Sequence, residues 1–350
     1  MKISLVLVLS LITLVANAET IKSFSVSKSN SKISEIATSF EIVENREKDF
    51  IVYVLDSKTD KFNRMAPLAK LISEDINKEL KNKSQKIQGY HSFEEVQSIA
   101  KELEQSFPTL AKIEHYGTSK NGLPLFALKI TKDAKKSNKV KKSMLTSATH
   151  GDELITVEVL LSLSRMLLES YGKDDRLTRI VDESETYFIF VVNPEGFTRR
   201  SRYAGGIDPN RQYPWPGNPN RSTPVKSIDS LMKFYKEKDF KGSIDFHAYG
   251  KMVMFPWGYT RDLINSSDHE HFNLLTKDMA KENRYKSGPI SRVIYVAKGS
   301  SADFYYEHNG GSAIAVELGN RKVPHHTKIA AVVEQAREMT WKFLDSIVAL

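Results

Sequence analysis

The 350-residue chain is 40% hydrophobic and 27% charged, an ordinary globular composition with room for one large α/β domain and a small accessory one. Its formal net charge of +8 is spread out apart from a run between Lys132 and Lys142, which lies between two apparent strands and reads as a solvated hairpin turn, not a nucleic-acid patch. With no cysteine, the chain can form no disulfide, thiolate metal site or cysteine nucleophile.

Residues 1–18 read as a secretory signal peptide: Lys2 opens an apolar run over residues 3–15, and Ala16-Asn17-Ala18 is a small-x-small site with cleavage expected after Ala18. No cysteine follows for a lipid anchor, and no later stretch reaches transmembrane length, so a secreted or periplasmic protein without membrane anchor is expected. Residues 19–39, rich in Ser and Lys, read as a flexible lead-in. Residues 40–43 and 49–55 have strand patterns, and residues 67–80 carry Leu68, Leu71, Ile72, Ile76 and Leu80 at helical spacing. Residues 19–86 thus form a small α+β extension. It ends in Lys81-Asn82-Lys83-Ser84-Gln85-Lys86, a basic linker of the kind proteases cut, and is a candidate propeptide.

The main domain is placed at 87–350. Ser92 and Glu95 make a capping box for a helix with Val96, Ile99, Ala100 and Leu103 on its apolar face, and Pro108 ends it. A turn over residues 115–124 leads to a strand at 125–130, and residues 144–148 read as a buried strand. At Thr149-His150-Gly151-Asp152-Glu153 that strand gives way to a helix reaching Leu168. Residues 186–192 are a continuous apolar run, as in a central strand. A polar segment from 193 to about 223, rich in Arg, Gly, Pro and Asn, is long enough to be functional. Short strands at 243–246, 252–255 and 312–318, with helices at 268–284 and 327–348, complete an α/β pattern.

His150 and Glu153, three apart at a strand end, can turn an imidazole nitrogen and a carboxylate toward one point. Such a pair alone is weak evidence; His91 and Glu94 form another at the start of a surface helix. His247 ends a second apolar strand and offers a third ligand. Two His and one Glu leave a fourth position open, which suits a catalytic zinc. Glu317 ends a buried strand and is a candidate base. Arg199, Arg200, Arg202 and Arg211 crowd one loop, and a guanidinium fork such as that of Arg211 suits a substrate carboxylate.

From about Tyr90 onward the chain resembles the zinc carboxypeptidase family of the pancreatic A/B type. The stretches that carry the likeness are Tyr90-His91-Ser92-Phe93-Glu94-Glu95, residues 117–125, Thr149 to Glu153, Asn193-Pro194-Glu195-Gly196-Phe197, Asp208-Pro209-Asn210-Arg211, and His247-Ala248-Tyr249-Gly250 with Met254-Phe255-Pro256-Trp257-Gly258. The stretch from Ile294-Tyr295 through Glu317-Leu318 aligns without a gap. The resemblance implies an α/β fold, with a mixed central β-sheet flanked by helices behind the small α+β segment. It also implies one Zn2+ per chain on His150, Glu153 and His247, with Glu317 as general base and Arg199 as oxyanion donor. Asn210, Arg211 and Tyr295 would hold the substrate's terminal carboxylate, and Ala302 would lie at the specificity pocket. No acid aligns at that pocket's floor, so neutral or apolar terminal residues are expected.

Asp152 departs from the A/B pattern, which has arginine there. The His-Gly-Asp-Glu form resembles murein peptidases of the same superfamily, and an acid there could attract a substrate amine. The expected partners are therefore peptide or protein C-termini, with peptidoglycan peptides as the alternative, acted on by a monomer with no nucleic-acid partner. A non-catalytic peptide-binding relative is the bland alternative.

Overall fold

The computed structural model describes residues 20–45, 48–76, 87–136 and 140–350. The candidate signal peptide and the basic linker at 81–86 lie outside the described residues.

The first unit is a four-stranded antiparallel sheet of β1 (Ile21–Ser27), β2 (Glu41–Asn45), β3 (Asp49–Leu55) and β4 (Lys70–Ser73), in the order β2-β3-β1-β4. Helices Ile33–Ser39 and Thr59–Met65 accompany it, and Phe24, Ile36, Phe40, Val52 and Phe62 fill the space between. Two expectations are corrected here. The supposed lead-in is a strand and a helix, because Ile21, Phe24 and Val26 are buried within a segment whose average composition is polar. The helix expected over 67–80 is instead the edge strand β4 at Lys70–Ser73. Leu68, Leu71 and Ile72 are exposed, at 92%, 46% and 51%, so their helical spacing meets no core, and pairing with β1 decides the conformation. Residues 77–80 lie outside the described residues.

The main sheet contains β5 (Ala111–Thr118), β6 (Pro124–Ile130), β7 (Lys141–Thr146), β8 (Ser184–Ile189), β9 (Gly242–His247), β10 (Met252–Phe255), β11 (Lys286–Pro289) and β12 (Ser312–Glu317). Their spatial order is β11-β10-β12-β9-β7-β8-β6-β5. The central four, β12, β9, β7 and β8, run parallel; β10 is antiparallel to β12, and β6 to β8. β8 therefore lies between β6 and β7, so the Lys-rich segment joining those two is a crossover and not the expected hairpin turn.

β8 and β9 are wholly buried, as helices cover both faces. The helix Leu154–Glu169 packs against the closing helix Ile329–Ala349 and β7 packs on the same helix; Phe93–Ser106 lies against β5. Among the described residues no helix is long and apolar enough to cross a membrane. Because the four parallel strands point the same way, their C-terminal ends gather the loops that follow at one edge.

Candidate metal centre and active site

Three of those strand ends converge. The chain leaves β7 through Ala148, whose φ of 47° lies in the left-handed region, and turns sharply so that His150 and Glu153 face the sheet edge. Gly151 allows this approach: a Cβ there would sit 2.0 Å from the carbonyl carbon of Gly196 in the helix Pro194–Thr198. His247 is the last residue of β9, in register with Glu317 at the end of β12.

His150 Nδ1 lies 3.1 Å from His247 Nδ1, and the Glu153 carboxylate lies 2.9 Å from the first and 3.0 Å from the second. All three side chains are buried, and their ligand atoms lie within 4.8 Å of one another. The outer nitrogens face carboxylates: His150 Nε2 is 3.1 Å from Asp208 Oδ1, and His247 Nε2 is 3.1 Å from Asp245 Oδ2. A carboxylate only accepts, so Asp208 and Asp245 can each take an Nε2 proton, and in that tautomer both Nδ1 lone pairs face Glu153. Two lone pairs and a carboxylate converging in a buried space need a cation, and an N2O donor set with an open side fits a single catalytic Zn2+.

The charges around the cluster balance through buried ion pairs. Arg202 donates to Asp208 Oδ2 at 3.1 Å, lies 3.5 Å from Glu153 Oε1, and sets Nη1 3.1 Å from His150 Nδ1. Burial alone would raise the Asp208 pKa, but Arg202, His150 and Arg211 hold it well below the usual carboxylate range. Glu317 behaves oppositely. Desolvation and then the Glu153 charge push it up to about 7, against the pull of His247, His150 and Arg202.

A cleft of about 340 Å³ opens from this cluster, lined by Arg202, Asn210, Arg211, Tyr295 and Glu317 among others. Arg211 Nη2 donates to Tyr295 Oη at 3.0 Å and its Nη1 to the Asn210 carbonyl at 2.8 Å. Beyond them Met254, Ile290, Ile294, Ala297, Ala302 and Ala315 make an apolar wall. Asp303, next to Ala302, turns its carboxylate onto the backbone N–H groups of Gly258 and Tyr259 at 2.7 and 2.8 Å. Burial pushes its pKa up to about 7 despite those two hydrogen bonds.

The structure thus brings His150, Glu153, His247, Asn210, Arg211, Tyr295, Ala302 and Glu317 to one cleft, and two of the expected residues elsewhere. Arg199 is exposed at the C-cap of the short helix Pro194–Thr198, whereas Arg202 is buried against the ligands. After that helix the chain bends back, so Arg202 and not Arg199 reaches the ligand cluster. Asp152 does not line that cleft: Lys322 Nζ binds its Oδ2 at 2.8 Å and lies 3.8 Å from Glu153 Oε1. Asp208, Asp245 and Lys322 went unnoticed as site residues in the sequence. For Asp245 a signal existed, since residues two apart on a strand share a face and Asp245 precedes His247 by two.

The sequence model of the zinc carboxypeptidase family (Peptidase_M14) matches residues 96–339, the span that carries every ligand. The chain belongs to the zinc carboxypeptidase family. Mouse carboxypeptidase A4 is 25% identical over 296 residues, covering 74% of this chain and 69% of that protein. Rat carboxypeptidase A2 is 26% identical over 303 residues, with 74% and 70% covered. Among solved structures, carboxypeptidase A from Helicoverpa armigera superposes with a TM-score of 0.75 at 17% identity, covering 95% of this chain and 98% of that one. Thrombin activatable fibrinolysis inhibitor gives 0.70 at 19% identity, with 95% and 99% covered. At these identities the two structures speak to the fold alone. With its His-Glu-His triad, this zinc carboxypeptidase is an enzyme, a zinc metallopeptidase whose substrates are peptides or proteins.

Proposed function

We propose that the enzyme removes single apolar or neutral residues from free peptide C-termini outside the cytoplasm, and that residues 19–86 hold it latent. The observation that carries this reading is that Arg211 and Tyr295 line the same cleft as the ligand cluster and the apolar wall around Ala302. A terminal carboxylate paired with Arg211, Asn210 and Tyr295 brings the last peptide bond over His150, Glu153 and His247. Zinc held there by His150, Glu153 and His247 would supply Lewis acidity and make a water acidic enough to attack. Glu317 takes the proton from the attacking water and delivers it to the leaving amine. Arg202 faces the charge that develops on the carbonyl oxygen.

Two expected outcomes test substrate choice. Amidating the C-terminus should lower kcat/KM by about 10–100-fold, the worth of a lost hydrogen bond to a buried charge. Mass spectrometry of a mixture of free and amidated peptides reads this directly, and equal trimming of both would rule out a carboxylate-anchored exopeptidase. Terminal Leu or Phe should outrun Lys by a similar factor, because the carboxylates that line the cleft among the described residues, Glu153 and Glu317, belong to the ligand cluster and the wall around Ala302 is apolar. Asp152 pairs with Lys322 through Oδ2, which weighs against its recruiting the amine of a murein peptide.

Latency is supported by contacts at the cleft. Ile42 and Phe50 of the first unit line its mouth, and Tyr295 packs against that unit's core. On the other side Tyr203 joins Ile21 and Ile76, with Tyr53 and Leu55 against them. Limited proteolysis within residues 77–86 should raise activity by roughly tenfold or more, as the tethered unit loses its high effective concentration. Unchanged activity after complete cutting would leave residues 19–86 as a mere extension. Export rests on the leader-like composition of residues 1–18, and N-terminal sequencing of the protein recovered outside the cytoplasm should begin at Glu19.

A further inference from the structure

Asp245 is 1% exposed and meets four polar side chains. Its Oδ1 accepts from Thr146 Oγ1 at 2.8 Å and Thr149 Oγ1 at 3.0 Å, and its Oδ2 accepts from Ser301 Oγ at 2.6 Å and meets His247 Nε2 at 3.1 Å. The first two donors come from the end of β7 and its exit turn. The third opens the helix Ser301–Asn309, beside Ala302 of the pocket. A carboxylate pinned from three sides has little freedom to move away from His247.

His247 Nε2 has a second neighbour with the opposite demand. Asn210 Nδ2 lies 3.0 Å away, and that amide cannot turn over, because its Oδ1 already accepts from the Ser301 backbone N–H at 2.8 Å. An NH2 group asks Nε2 to be an acceptor, which would put the ring proton on Nδ1, pointing into the ligand cluster. The Asp245 carboxylate asks Nε2 to be the donor, which leaves the Nδ1 lone pair for a cation that Glu153 Oε2, 3.0 Å from Nδ1, would share. The charge-assisted bond is the stronger of the two.

We propose that Asp245 is a positioning residue that holds His247 in its Nε2–H form against the contrary pull of Asn210, and thereby keeps Nδ1 open for zinc. The inference rests on the zinc assignment of the cluster. It also ties the terminal-carboxylate site to the metal: Asn210 and Ser301, which border the substrate's end, share hydrogen bonds with the two groups that set the ligand's tautomer.

The test is zinc affinity, measured by competition with a chelator on the full chain. Asp245→Ala should weaken zinc binding by about 10–100-fold, the usual cost of removing a ligand's hydrogen-bond partner. Adding Asn210→Ala to that variant should recover part of the loss, since one pull toward the Nδ1–H form is then removed. A purely structural Asp245 predicts no such recovery. Zinc affinity of Asp245→Ala within twofold of wild type overturns the proposal, as does a double variant no tighter than the single one. If Asp245→Ala does not fold, the near-isosteric Asp245→Asn is measured in the same way: weaker zinc binding, partly recovered by Asn210→Ala, upholds the assignment, and affinity within twofold of wild type overturns it. Wild-type protein that takes up no zinc defeats the zinc assignment as well, which separates the two failures.

Discussion

Glu317→Gln is expected to lower kcat by about 10²–10⁴-fold while leaving one zinc per chain and KM close to wild type. The amide keeps the shape of the side chain and its place at the end of β12 but cannot take a proton. Zinc content should not change, because the ligand atoms come from His150, Glu153 and His247. The acid limb of the wild-type pH profile should belong to the same group. Desolvation in the cleft and the Glu153 charge raise its pKa, so it ionises late, and activity should climb as pH rises through that ionisation. A zinc cation pulls in the same direction as His247 and His150, so the limb should fall below the value of about 7 that holds without it. A steady-state profile of the zinc-loaded enzyme, with chelator-measured metal content for both proteins, checks each part. If Glu317→Gln retained wild-type kcat, another group would be the base.

The cluster was legible in the sequence because His247 and Glu317 end strands that read as buried, His150 and Glu153 closely follow a third, and the C-terminal ends of parallel strands share one edge of the sheet. His150, His247 and Glu317 needed only the apolar runs before them to be placed on one edge. Harder to read was anything set by packing between distant segments. β4 is a strand only because β1 offers it an edge, and nothing in Lys70-Leu71-Ile72-Ser73 records that partner. The segment after Ile130 joins two strands that look adjacent in sequence, yet β8, which comes later in the chain, is inserted between them. Asp152 shows the same limit at the level of charge. An acid beside a ligand reads as a substrate contact until Lys322, 170 residues on, is seen to neutralise it.

Arg202 and Arg199 provide the second large effect, and here sequence and structure point to different residues. The loop offers three arginines within four positions, and spacing alone cannot say which of them turns inward. In the folded chain Arg202 is 7% exposed and lies between Asp208 and the ligands, while Arg199 is exposed to solvent. Arg202→Ala should therefore lower kcat by about 10²–10³-fold, the usual cost of one oxyanion donor, and Arg199→Ala should stay within about twofold. Arg202→Lys should recover little, because an ammonium cannot hold Asp208 and face the carbonyl oxygen with one planar fork. Removing the guanidinium also leaves Asp208 with one cation fewer beside it, so zinc content must be measured alongside. A fall in kcat at full zinc occupancy assigns Arg202 to the developing charge. A fall that tracks lost zinc assigns it to holding Asp208 and, through it, His150. A large loss on Arg199→Ala with Arg202→Ala unaffected would falsify both roles for Arg202.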